Sequence, residues 1–174
     1  MPFVPKSGTE GAKTGEKRVL RSRIGDEGHA AAARTEFFTT FVEQKKIAME
    51  TRKHLAAEKK RCNSHNCAQA VVCTYCDLVG LPEQTALDIA GAYGTGMGNM
   101  EGTCGALVGA GMIIGLATKD RNESRAKMKQ MMTKFQQRNG ATQCKLLKGI
   151  GTGVVLRDCP DCVADASEFL EELL

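Results

Sequence analysis

Phe37, Phe38, Phe41, Ala48 and Leu55 recur at intervals of three, four and seven residues among charged positions, which predicts one long amphipathic helix from about Ala30 to Arg61. Polar turn formers from Cys62 to Asn66 break it. Ser64 or Asn63 is suited to cap a second helix, which runs to about Val79 and closes at Gly80. Pro82 opens a short third helix through EQTALDIAGAY. The fourth is expected from about Thr103 to Ala117. Asp120 or Asn122 caps a fifth, ending at Asn139 before Gly140, with Met128, Met131, Met132 and Phe135 on one face. Gln143 to Ile150 makes a short helical turn, Gly149, Gly151 and Gly153 mark a loop, and a last helix runs from Pro160 to the end with Val163, Ala166, Phe169 and Leu170 apolar. The expectation is an all-α bundle of about five to six helices, with a long N-terminal helix and a Gly-rich loop before the central one. Residues 1–28 show no apolar period and read as a flexible basic tail, residues 29–62 as the long helix, and residues 63–174 as the main domain.

Composition agrees with that architecture. Hydrophobic residues make up 42% of the 174, aromatics only 5%, and Trp is absent, so the core has to be built from aliphatic side chains, which suits packed helices better than a sandwich or barrel. The formal net charge of +4 is unevenly spread. Residues 63–174 hold 10 Lys and Arg against 12 Asp and Glu, so the basic excess lies upstream of them. Nucleic-acid binding calls for a denser basic patch than this, and no nucleic-acid partner is expected. The first thirty residues lack an apolar core segment and no apolar run is long enough to span a bilayer, so no membrane association and a cytoplasmic location are expected.

The least ordinary stretch leads through Cys104 into a small-residue helix. Gly94, Gly96, Gly98 and Gly102 sit at intervals of two or four, which suits neither helix nor strand but suits φ > 0 and close backbone approach. Beyond Cys104, Gly105 with Gly109 and Ala106 with Ala110 clear one helical face for a neighbouring helix. GTGMG follows no strand and precedes no Lys-Ser or Lys-Thr, which argues against a nucleotide loop and leaves close approach to the cysteines as its expected role.

The segments NCAQAV from Asn66 and GTGMGNMEGTCGALVGA from Gly94, then Cys144 followed by Leu146 and Leu147, and Cys162 before VADASEFLEEL, resemble the family known by its motif as C_GCAxxG_C_C. The resemblance covers roughly Asn63 to Leu174 and implies a redox-active protein. A related domain occurs in split-Soret cytochromes c. Neither CTYCD from Cys73 nor CPDCV from Cys159 is a C-x-x-C-H site, so covalent haem is not expected.

Among the eight cysteines, Cys67, Cys104 and Cys162 fall in the first turn of a predicted helix and Cys144 begins a shorter one. Backbone N–H groups and the helix dipole favour a thiolate there. These four are the expected site, holding an iron–sulfur cluster or another thiolate-bound metal and acting in electron transfer or redox sensing, with Gly94, Gly96 and Gly98 bringing backbone to it. Cys159-Pro-Asp-Cys162 supports an alternative, a metal-free dithiol with Cys159 attacking and Cys162 resolving; a third reading is a structural zinc site in a helical interaction module. Cys73 and Cys76, in mid-helix, read as core residues, and Cys62 as open to either role. Cys67 and Cys76, nine positions apart, point to opposite sides of their helix. His65 reads as a cap or surface residue sooner than a ligand, and the methionine face as core packing. A redox partner protein is expected, and the long N-terminal helix suggests a homodimer.

Overall fold

The computed structural model describes residues 51–174. The tail at 1–28 and most of the predicted 30–61 helix, with Phe37, Phe38, Phe41 and Ala48, lie outside the described residues. Seven α-helices follow one another there: α1 Lys53–Arg61, α2 Cys67–Tyr75, α3 Glu83–Ala90, α4 Gly105–Thr118, α5 Arg121–Asn139, α6 Cys144–Leu147 and α7 Cys159–Leu173. Single 3-10 turns at Cys76–Val79 and Gly91–Tyr93 extend α2 and α3. No strand occurs among the described residues, only one antiparallel bridge between Thr103 and Gln143. None of the described helices is long and apolar enough to cross a membrane.

Local chemistry accounts for most boundaries. Asp120 caps α5 by accepting the Glu123 N–H at 2.8 Å, and Gly140, left-handed at φ +78°, ends it. Pro82 stands just before α3 and supplies a fixed φ where no N–H is needed. The cap of α2 departs from expectation. Asn63 is itself left-handed at φ +57° and the Ser64 hydroxyl donates back to the Lys59 carbonyl, so Asn66 takes the role.

Helix α4 forms the centre, packed against α2, α5 and α7. Its small residues let α2 in. A Cβ at Gly109 would lie 2.6 Å from the Ala68 carbonyl oxygen, and one at Gly105 2.6 Å from that of Tyr93 and 3.2 Å from the Cys67 Cβ. Leu107, Ile113, Ile114, Val71, Val72, Met131 and Phe135 are fully buried around it. At roughly 1.5–3 kcal/mol per buried side chain, this core outweighs the surface ion pairs, which contribute about 0–1 kcal/mol each. Met131 is core and Met128 and Met132 pack against it, as the sequence leads one to expect.

Helix α1 lies along α7, with Lys53 paired to Glu168 at 2.7 Å. The Arg52 N–H and the Tyr75 hydroxyl both donate to Glu171 at 2.6 Å. Thr51 and Arg52 are not helical, and the described helix begins at Lys53. Leu55, placed on the buried stripe by its spacing, is 63% exposed; Ala56 and Ala57 face inward instead.

Candidate functional site

Cys67 is the first residue of α2, and the residue before it fixes where the helix starts. The Asn66 Oδ1 accepts the N–H groups of Ala68 and Gln69 at 2.9 Å, while the Gln69 Oε1 accepts the Asn66 N–H at 3.0 Å, a reciprocal capping box. The Asn66 amide also donates to the carbonyls of Ala90 and Gly91 at 3.1 and 2.9 Å. One side chain thereby joins the start of α2 to the end of α3, just ahead of the glycine loop. Gly94 lies against it, since a Cβ there would come within 2.7 Å of the Asn66 Cβ.

The bridge between Thr103 and Gln143 sets Cys104 beside Cys144. The Cys104 N–H donates to the Thr142 carbonyl at 2.8 Å and the Cys144 N–H to that of Gly102 at 3.0 Å. The Lys145 N–H reaches the Met100 carbonyl at 2.9 Å, and its ammonium pairs with Glu101 at 2.6 Å. The loop can fold this tightly because of Gly96. It has φ +54°, and a Cβ on it would meet the Cys144 Cβ at 2.5 Å. Gly98 also has a positive φ, of +88°, but nothing lies within 4 Å of a Cβ placed there, so it shapes the turn and touches no cysteine.

Cys159 is the first helical residue of α7, one position later in the cap scheme than its sequence suggests, with Asp158 at the N-cap. Cys162 consequently falls in the fourth position. Its N–H already donates to the Asp158 carbonyl at 2.8 Å, so it lacks the unpaired N–H expected of a first-turn residue. Its thiol points back to the Arg157 carbonyl, at 3.8 Å. Arg157 is held by the buried Asp165 carboxylate at 2.9 and 3.1 Å and by Asp161 at 3.5 Å. Its N–H also donates to the Leu147 carbonyl at 3.2 Å, which ties the start of α7 to α6.

These local devices bring Cys67, Cys104, Cys144, Cys159 and Cys162 close enough for their charges to act on one another. Four of the sulfurs act on one another chiefly in two pairs. Cys67 interacts with the Cys159 sulfur, which raises Cys67 far above the ordinary thiol value. With Lys148 and Lys60 helping, it lowers Cys159 to about 6. Cys104 and Cys162 act on each other in the same way, which raises Cys162 and lowers Cys104, where the backbone N–H groups of Ala106 and Leu107 also favour thiolate. Cys144 is raised by burial and by the neighbouring Cys104 and Cys159. Cys67, Cys104, Cys144 and Cys162 are buried; Cys159 is partly open to solvent.

Cys159 and Cys162 stand one helical turn apart, yet each finds its sulfur partner outside the C-x-x-C pair. Helical periodicity reveals the turn but not the cross-chain pairing. Lys148 and Lys60 are also silent in the sequence, because only the fold turns them toward Cys159. All eight cysteines are free thiols. Among the described residues no three Cys, His, Asp or Glu side chains are grouped as a single metal ion requires. Cys62, Cys73 and Cys76 line a separate cavity of about 560 Å³ with Glu58, Asp77 and Glu83. The 3-10 turn carries Cys76 away from Cys67, and both Cys73 and Cys76 are buried in the core. His65 is engaged through Nδ1 by the Ser64 hydroxyl at 2.8 Å.

A family model described as "Putative redox-active protein (C_GCAxxG_C_C)" matches residues 65–173. No curated protein matches the chain, and neither does any solved structure.

Proposed function

The chain belongs to the C_GCAxxG_C_C family, and from that membership we propose that the five neighbouring cysteines are its redox centre and work by thiol–disulfide exchange. Cys159 is the nucleophile and Cys67 the resolving thiol. The observation that carries this reading is the pairing of the one partly open sulfur, Cys159, with the buried Cys67 thiol. A thiolate is the attacking species, and a value near 6 keeps Cys159 mostly ionised at neutral pH. When an electrophilic sulfur forms a mixed disulfide on Cys159, Cys67 is already in contact to displace it. The two thiols together give up two electrons, and Cys67 gives up its proton. Cys104 and Cys162 are both buried while Cys159 is partly open, so oxidising equivalents reach this second pair by exchange through Cys159.

A second reading, an iron–sulfur cluster, is favoured by the donor set. Cys67, Cys104, Cys144 and Cys162 are all sulfur, all buried and drawn from α2, the α4 cap, α6 and α7. These four fit a cluster in chemistry, and they would hold it as thiolates, with Gly96 giving the backbone room beside Cys144. A cluster bound there would supply one-electron transfer. Its ligands bind different irons and need not meet at one point, unlike those of a single zinc ion.

Protein purified without oxygen, examined by visible absorption, iron and sulfide analysis and thiol counting, separates the two. Colourless protein that loses thiols in pairs on mild oxidation supports the exchange reading. Iron and sulfide in stoichiometric amount, with a broad charge-transfer band, would replace it with the cluster.

A further inference from the structure

A cavity of about 270 Å³ opens over Cys159, lined by Met100, Lys148, Ile150, Val155, Arg157 and Asp158. We infer that this cavity admits a small anionic disulfide, one carrying carboxylates on short arms, and that Cys159 at its floor exchanges with it. The inference rests on the thiol–disulfide reading above and adds the substrate class.

The size, the wall and the charge each narrow the occupant. Pockets for drug-sized ligands run from roughly 300 to 1,000 Å³, so this one takes a single small arm. The apolar wall of Met100, Ile150 and Val155 suits the methylene and sulfur part of such an arm. Ile150 and Val155 are 53% and 57% exposed, large apolar surfaces that a ligand in the cavity would cover. Lys148 makes no ion pair among the described residues, so its charge is free to act on the cavity. Arg157 is neutralised by Asp165 and Asp161. Asp158 is the opposing charge at the rim, and Lys60 acts on Cys159 from the α1 side. The balance around the sulfur is positive, which draws in carboxylates and repels ammonium groups.

The step closes in atoms and electrons. The Cys159 thiolate attacks one sulfur of R–S–S–R, the Cys159–S–S–R bond forms, and RS⁻ leaves to take a proton from solvent. Cys67 then releases its proton and attacks the Cys159 sulfur, and the second RS⁻ departs. The small disulfide is reduced by two electrons to two thiols while Cys67 and Cys159 are oxidised to a disulfide.

The test uses the reduced full chain with 3,3′-dithiodipropionate, 2-hydroxyethyl disulfide and cystamine, which are anionic, neutral and cationic. Rates are normalised to those of the unfolded chain, and adducts are mapped in Cys67→Ser, where the mixed disulfide on Cys159 is trapped. The anionic reagent is expected to modify Cys159 about tenfold faster than the cationic one, and Lys148→Gln to erase most of that preference. Equal normalised rates, or a preference that survives Lys148→Gln, would overturn the inference. Diamide, which needs no pocket, is the control. If it forms the Cys67–Cys159 disulfide while the charge preference is absent, only the cavity assignment fails; if it forms none, the exchange reading fails with it.

Discussion

The thiol of Cys67, at the start of α2, interacts with the sulfur of Cys159, at the start of α7, and the interaction drives their acidities apart. Cys159 is lowered to about 6 and Cys67 is raised, so nucleophile and resolving thiol differ in acidity. Alkylation of Cys159 by iodoacetamide is therefore expected to rise through pH 6 and level off by pH 8, where an ordinary thiol is still climbing toward 9. Cys67→Ala removes this partner, and the midpoint should move upward by at least one unit, about a fivefold loss of thiolate at pH 6. Peptide mapping keeps the Cys159 rate apart from that of the exposed Cys62. A Cys159 midpoint near 9 in the native chain would contradict the pairing.

Gly96 and Gly98 both have positive φ, but only Gly96 is pressed against a cysteine. Gly98→Ala is expected to cost about 1 kcal/mol, the backbone strain alone. Gly96→Ala adds a clash with Cys144 and should cost about 2–4 kcal/mol. Urea unfolding of the two variants gives the comparison. Equal losses would mean that the loop does not need its close approach to Cys144.

Asp165 is buried, with its side chain 5% exposed, and takes Arg157 from the Cys159 side and Arg138 from α5. Asp165→Asn keeps the shape and removes the charge. Because both arginines are more than a third exposed, the loss is expected at about 1–3 kcal/mol, below the 3–5 kcal/mol of a fully buried pair. The same variant should loosen the start of α7, read as faster hydrogen exchange at the Arg157 N–H. Unchanged exchange there would show that Arg157 is held by other contacts.

Glu168 is lowered to about 2 by Arg138 and Lys53. A depressed carboxyl favours the folded state above its unfolded value near 4.5, and that contribution is lost as pH falls through about 2. Glu168→Gln should flatten the fall in stability between about pH 4.5 and 2 and leave the slope above pH 6 unchanged. Urea midpoints across that range measure it, and an unaltered acid limb would contradict the assignment.

The helices and their order were legible because their signals are local: caps such as Asp120, stops such as Gly140, and the small face of α4. The cysteine set was legible only in part. Cys67, Cys104 and Cys144 stand at helix starts, a pattern visible along the chain, while Cys162 proved to lie one turn in, and the loop before Cys104 signalled close approach. The pairing of Cys159 with Cys67, and of Cys162 with Cys104, follows from how α2, α4 and α7 cross. Neighbouring positions suggested Cys159 with Cys162 instead. Leu55 misled for a related reason: its spacing fits a stripe, but the described helix begins only at Lys53 and presents Ala56 and Ala57 to the core.

The most direct test of the exchange account is a redox titration of the full chain in thiol–disulfide buffers, quenched by acid and alkylation and mapped by non-reducing peptide mass spectrometry. The account predicts that the first bond to form, in a two-electron step, joins Cys67 to Cys159, and that Cys104 and Cys162 stay reduced when Cys159 is changed to Ser. A first bond between Cys159 and Cys162, or oxidation of Cys104 and Cys162 unaffected by that change, would contradict it.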